Sequence, residues 1–145
     1  MTKFLLSVFL ACLLLFCFSQ GKPDNISLSI LKAYSDVDEI YRRAEQLSLQ
    51  AGSDDGLQAK ADELYREALV GFNNLAPGIE KTGSDSLCFF VHLKTGFIEF
   101  YFDSINAAKK DYLSTIALKQ RLPSVPDSFL FIPFMYTGGI YYTQN

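Results

Sequence analysis

The chain has 145 residues, of which 49% are apolar, 20% charged and 14% aromatic, with a formal net charge of −3. This composition excludes a disordered tail and a collagen-like fibre, and the length leaves room for one domain rather than a multi-domain enzyme. Lysine and arginine never occur in runs longer than two, as at Arg42-Arg43. Because nucleic-acid binding requires a basic stripe, we predict no nucleic-acid partner.

The first 21 residues have the pattern of a signal peptide. Lys3 supplies the positive charge, and every residue from Phe4 to Phe18 except Ser7 is apolar. This run is shorter than the ~20 apolar residues of a membrane span. The small residues that follow it resemble a signal peptidase site ending at Gly21. We therefore expect residues 22–145 to be exported to the periplasm or the extracellular space, with no stable membrane span after cleavage.

Cysteine usage predicts an exported chain without an internal disulfide. Cys12 and Cys17 lie in the predicted signal peptide, so the exported part keeps Cys88 alone. The tripeptide ending at Cys12 also resembles a lipoprotein cleavage motif. Because Cys12 lies inside the apolar run, we favour the signal peptidase interpretation.

Apolar residues after the signal peptide recur every three or four positions, which predicts helices and no strand. We expect five helices, beginning near Ser27 and covering about 27–50, 57–74, 86–102, 105–122 and 128–144. Asn25, Ser27 and Ser84 are candidate N-caps. The second helix is expected to end before Pro77. Pro133 must lie in the first turn of the fifth helix or bend it, because proline has no amide hydrogen.

Small and aromatic residues recur at fixed offsets in these helices. Alanine precedes tyrosine by four positions twice, at Ala61 and Tyr65 and at Ala108 and Tyr112. Gly138 follows Gly96 by 42 residues (138 − 96). Small residues let two helices cross closely, and a ring one turn away fills the gap between neighbouring hairpins. The pattern resembles the tetratricopeptide repeat (TPR).

This resemblance implies an all-α solenoid of antiparallel helix hairpins over about 27–75 and 86–123, followed by an unpaired helix at 128–145. The middle hairpin departs from the TPR pattern: His92 stands at the aromatic position, Thr95 before the glycine, and Glu99 at the tyrosine position. A spacing of 42 exceeds the usual 34 residues and is similar to the longer repeats of kinesin light chains and bacterial arrays. With the last repeat incomplete, we expect the chain to be the N-terminal fragment of a longer protein or the product of an open reading frame that was cut short.

Candidate catalytic and metal-binding residues are few. Cys88 and His92 share a helix face, but they lie among apolar residues and lack the third group that orients a nucleophilic pair. The exported part has no second His or Cys to complete a zinc site. We interpret the acidic groups as helix caps and N-terminal charge; they are Asp36, Asp38, Glu39, Asp54 and Asp55. We therefore predict no catalytic residue, no metal and no cofactor.

The TPR resemblance implies binding of a protein or peptide partner. In such arrays the first helix of each hairpin lines a concave face, where extended peptides or partner helices bind. The candidates here are Phe90, Leu93, Phe97, Phe100, Tyr101, Ile132, Met135 and Tyr142. We expect an exported, non-catalytic scaffold that is similar to the N-terminal arrays of bacterial CHAT-domain proteins. The alternative is the N-terminal regulatory region of an enzyme, a CHAT caspase-like peptidase or a sensor histidine kinase, whose catalytic domain lies outside this chain.

Overall fold

The computed structural model describes the backbone of residues 26–144 and the side chains of residues 26–139. The predicted signal peptide and the candidate cap Asn25 lie outside the described residues. Within them the chain forms five α-helices, and no strand is present. They are α1 (Leu28–Ala51), α2 (Asp55–Thr82), α3 (Asp85–Tyr101), α4 (Ile105–Lys119) and α5 (Phe131–Gln144), with a 3-10 turn at Asp127–Leu130 before α5. The prediction of an all-α chain of five helices is confirmed.

The helices pack as antiparallel pairs. Helix α1 pairs with α2, α3 pairs with α4, and α5 packs on α4. Helix α2 also contacts α3, so the first hairpin and the second form one continuous body. The hairpin pairing expected from the sequence is therefore present.

Polar side chains at the helix starts accept hydrogen bonds from amides that have no partner within the helix. The Ser27 hydroxyl accepts from the amide of Ile30 at 3.3 Å, and Ser84 caps α3 in the same way. The Asp54 carboxylate accepts from the amides of Gly56 and Leu57. The predicted caps Ser27, Ser84 and Asp54 are confirmed.

Helix α2 is longer than its sequence pattern predicts, because it continues through Pro77 to Thr82. A proline inside a helix costs about 3 kcal/mol or more. Beyond it, Ile79 is only 1% exposed, and burying such a side chain contributes about 1.5 to 3 kcal/mol. The helix ends instead at Gly83, whose φ of 72° is left-handed. Pro133, by contrast, lies in the first turn of α5, as expected.

Small and large side chains interlock between the helices. Ala61 and Ala108 are fully buried, and so is the ring of Tyr112. A Cβ added at Gly96 would lie 3.0 Å from two ring atoms of Tyr112, so α3 and α4 cross at this glycine. The packing role predicted for these small residues is present in the second hairpin.

Candidate functional site

The outer side of the last helix exposes large apolar residues. Phe131 is 67% exposed, Phe134 55% and Met135 48%. Spacings of three and four residues place these side chains on one face. Two further exposed apolar residues adjoin them, one on α5 and one in the 3-10 turn before it. We call the whole set the α5 apolar face; it consists of Phe129, Phe131, Ile132, Phe134 and Met135.

The inner side of α5 packs against the second hairpin. Leu130, Pro133 and Thr137 are buried, again at helical spacing. The Tyr136 ring stacks on the Tyr112 ring with centroids 6.0 Å apart and lies 3.9 Å from the Phe100 ring. Helix α5 is therefore anchored on one side, and Phe131, Phe134 and Met135 lie on its other side.

The α5 apolar face is also free of charge. The helix Phe131–Gln144 contains no Asp, Glu, Lys or Arg, although the chain carries a net charge of −3. With about 200 Å² for a whole aromatic side chain, the exposed parts of the face amount to roughly 450 Å². A patch of this size is as large as the largest apolar patch of an ordinary monomer, which is often functional.

Gly138 lies on the exposed side of α5. Among the side chains that the structure describes, none lies within 4 Å of a Cβ added at Gly138, whereas a Cβ added at Gly96, 42 residues earlier, would meet the Tyr112 ring at 3.0 Å. The two glycines therefore differ in their described surroundings.

The predicted partner-binding residues of α3 are half-buried against neighbouring helices. The rings of Phe97 and Tyr101 pack on Tyr65, with centroids 6.0 and 4.9 Å away. Phe90 packs edge-on against Phe129 at 5.6 Å. Their role at a concave binding face stays a prediction.

The remaining predicted residues divide between the interior and the α5 apolar face. Leu93 packs against the cluster around the end of α4, and the Phe100 ring contacts Tyr136. Ile132 and Met135 lie on the α5 apolar face, while the side chain of Tyr142 lies outside the described residues. Phe131 and Phe134 were not predicted as binding residues, although their spacing from Met135 and Gly138 marks one helical face.

A polar cluster lies between α3 and α4. His92 Nδ1 is 3.0 Å from Asp111 Oδ1, and the Thr95 hydroxyl donates to the other oxygen of the same carboxylate. The Oε2 atom of Glu99 is buried without a hydrogen-bond partner. Burial, and then the nearby Asp111 carboxylate, raise the pKa of Glu99 to about 7, while Lys110 and His92 act in the opposite direction.

This cluster predicts that the fold loses stability as the pH rises. An acid whose pKa is higher in the folded state than in the unfolded state stabilises the fold fully below its unfolded pKa. For Glu99 the loss should therefore begin near pH 4.5 and continue through pH 7. We expect Glu99→Gln to be more stable than the parent at pH 8 by about 1 to 2 kcal/mol, after allowance for partial solvent exposure.

Urea denaturation at pH 5, 6, 7 and 8, followed by circular dichroism, checks this expectation for Glu99. The matched control is Glu63→Gln, since the Glu63 side chain is exposed on α2. If the stabilities of the parent and of Glu99→Gln fell in parallel over this pH range, the expectation for Glu99 would be wrong.

Asp111 on α4 supplies the third group that the sequence did not show beside Cys88 and His92. Its Oδ1 atom lies 3.0 Å from His92 Nδ1, a contact that orients the imidazole. Cys88 is half-buried among apolar residues, and burial raises the pKa of its thiol. A raised pKa keeps the thiol protonated and unreactive at neutral pH.

A second polar contact joins the first hairpin to α3. The Lys94 ammonium forms an ion pair with Asp38, and Arg42 approaches the same carboxylate at 3.3 Å. Burial lowers the pKa of Lys94, but Tyr34 and Asp38 more than offset this, so that its pKa is raised. Asp38 therefore holds two hairpins together, and its interpretation as N-terminal helix charge is wrong.

The described residues form neither a metal site nor a membrane span. Within residues 26–139 no three His, Cys, Asp or Glu side chains are arranged to hold a metal ion. None of the helices in the described part of the chain is long and apolar enough to cross a membrane. Comparison with protein families, curated proteins and solved structures found no match.

Proposed function

We propose that the chain is an exported, non-catalytic helical-repeat scaffold that binds another protein through the α5 apolar face. The observation that carries the proposal is the exposure of large apolar side chains, Phe131 above all, on a helix whose other side is already anchored. Surface helices normally present polar residues to water. The largest apolar patch of a monomer, of about this size, is often functional.

The partner that fits this face is an α-helix with an uncharged apolar side. The face has no charged residue with which to recognise an acidic or basic ligand. No described side chain lies within 4 Å of a Cβ added at Gly138, so that a large side chain of the partner could pack against this glycine. A helix that carries an aromatic ring therefore matches this surface.

The export part of the proposal rests on the sequence of residues 1–21, with Lys3 followed by an apolar run that ends in small residues. The alternative, a regulatory region of a peptidase or kinase, depends on residues outside this chain and stays a prediction.

Titration with an uncharged amphipathic peptide of leucine, phenylalanine and glutamine tests the binding function. We expect the peptide to bind the purified protein with micromolar affinity, measured by fluorescence anisotropy. Phe131→Asp should weaken binding at least about tenfold, because a charge on the contact surface must lose its water on binding.

The matched control is Leu49→Asp, which adds the same charge at an apolar residue of α1 that is 87% exposed. Circular dichroism of both variants should show unchanged helix content. Equal peptide affinity of the Phe131→Asp and Leu49→Asp variants would overturn the proposal that the α5 apolar face is the binding site.

A further inference from the structure

Three buried polar atoms at the junction of α3, α4 and α5 have no hydrogen-bond partner in the described part of the chain. They are Glu99 Oε2 on α3, the Tyr112 hydroxyl on α4 and the Thr137 hydroxyl on α5. Tyr112 is fully buried, and Thr137 is 6% exposed. Because buried polar groups are nearly always hydrogen-bonded, three unpaired ones mark this junction as a weak point of the fold.

Helix α5 covers the junction. The Tyr136 ring lies against Tyr112 of α4 and Phe100 of α3, with ring centres 6.0 and 3.9 Å away. Burial raises the pKa of the Tyr112 hydroxyl, and Tyr136 and Glu99 both lie close enough to raise it further. Release of α5 would therefore admit water to the Tyr112 hydroxyl and to the Glu99 carboxyl beside it.

The groups around Glu99 oppose its ionisation while the junction is closed. Burial and the Asp111 carboxylate raise the pKa of Glu99, and Lys110 and His92 offset this only in part. Asp111 is itself engaged, since His92 and the Thr95 hydroxyl both contact it. An ionised Glu99 therefore has no donor for its buried oxygen and lies near a second carboxylate.

The two other helices that pack nearby leave this balance unchanged. The sequence of α5 contains no Asp, Glu, Lys, Arg or His, and its titratable side chains are tyrosines. On α3, Phe97 and Tyr101 are the residues whose rings contact Tyr65 of α2. Each is two residues from Glu99, or about half a helical turn, so that α2 packs on the far side of α3.

We propose that ionisation of Glu99 releases α5 from the second hairpin, so that pH controls whether this helix is docked. A protonated carboxyl stays buried at a lower cost than an ionised one, which must gain water or a donor. Helix α5 packs on α4 and touches α3 at Phe100. It can therefore leave while the Lys94–Asp38 contact between the hairpins stays intact. The inference holds whichever partner binds the α5 apolar face.

The direction of the effect follows from the pKa of Glu99 in the two states. It is about 7 while α5 is docked, and it returns toward the ordinary 4.5 when α5 is released. The ratio of released to docked molecules therefore rises up to about tenfold per pH unit between these values, or roughly 300-fold in all. Because the Glu99 side chain is partly exposed, we expect a rise of at least about tenfold.

The reactivity of a thiol at position 137 measures the release. In a Cys88→Ala background, Thr137→Cys places the thiol on the docked side of α5, and Met135→Cys places it on the exposed side. The ratio of their labelling rates with N-ethylmaleimide removes the pH dependence of the thiol reaction itself. From pH 5 to pH 7.5 we expect this ratio to rise at least about tenfold, and to stay constant when Glu99→Gln is added.

Urea distinguishes release of one helix from unfolding of the whole chain. At pH 7.5 the labelling of Thr137→Cys should change little with urea below the unfolding transition, because releasing α5 exposes little surface. A dependence as steep as that of global unfolding, followed by circular dichroism, would overturn the proposal. A labelling ratio that is constant with pH would also overturn it, as would an equal rise in the Glu99→Gln variant.

Asp111→Asn is a second variant that keeps the test decisive if Glu99→Gln folds poorly. Removing the nearby carboxylate lowers the pKa of Glu99 in the docked state. The labelling ratio should then rise less and reach its plateau at a lower pH. An unchanged rise in Asp111→Asn would contradict the control of α5 by Glu99.

Discussion

Lys94→Met is expected to lower the free energy of unfolding by about 3 kcal/mol. The Lys94 side chain is 17% exposed and that of its partner Asp38 10%. Removing one member of a buried ion pair costs about 3 to 5 kcal/mol, since the other charge is left without compensation. Arg42 lies 3.3 Å from the Asp38 carboxylate and compensates part of its charge. We therefore expect a loss at the lower end of this range.

Methionine is the informative replacement because it keeps most of the length and apolar volume of lysine. Lys94 also lies 5.4 Å from the ring centres of Tyr34 and Tyr41, and the methionine side chain retains contact with these rings. Guanidinium denaturation followed by circular dichroism measures the loss.

The double variant Asp38→Leu with Lys94→Met controls for the charge left behind. Replacing both members of a buried pair by apolar residues is often neutral, so the double variant should recover most of the stability. A loss below about 1 kcal/mol for Lys94→Met alone would show that the ion pair is not a main connection between the hairpins.

Tyr65→Ala is expected to lower the free energy of unfolding by about 3 to 5 kcal/mol. Tyr65 is 2% exposed. Its ring centre lies 5.9 Å from that of Tyr41 on α1, and 6.0 and 4.9 Å from those of Phe97 and Tyr101 on α3. Truncation would leave a cavity among three helices. This cavity cannot close unless the packed helices shift relative to one another.

Tyr65→Phe is the control, because it keeps the ring and should change stability by less than about 1 kcal/mol. Thermal unfolding followed by circular dichroism compares the two variants. Similar unfolding temperatures for Tyr65→Ala and the parent would contradict the view that this ring joins α1, α2 and α3.

The number and type of the helices could be predicted from sequence because the apolar stripes are long and regular. The end of α2 could not, since a local rule about Pro77 was outweighed by the tertiary burial of Ile79. Contacts between residues distant in the chain could not be predicted either, because they depend on how the helices pack and not on the pattern within one helix. Lys94 lies 56 residues from Asp38, and nothing in the pattern of either helix pairs them.

The surroundings of His92, Thr95 and Glu99 could not be predicted from the sequence. His92 and Thr95 both contact Asp111, and the Glu99 carboxyl lies close to it. These three polar residues thus lie around one carboxylate between α3 and α4, a tertiary arrangement that the helical pattern alone does not predict. The candidate site was found only in part: Ile132 and Met135 were predicted, whereas Phe131 and Phe134 required knowledge of which side of α5 is anchored.

The adjacent Gly138 and Gly139 in α5 affect how any contact at this helix is formed. Each glycine lowers helix stability by about 1 kcal/mol relative to alanine, and both are exposed. The last turns of α5 are therefore held weakly while the helix is uncovered. A helix docked beside them reduces the backbone's freedom to unwind, so that part of the favourable contact energy is offset by lost chain entropy. Docking of a helix at α5 would then show a negative heat-capacity change and would order the last turns of α5.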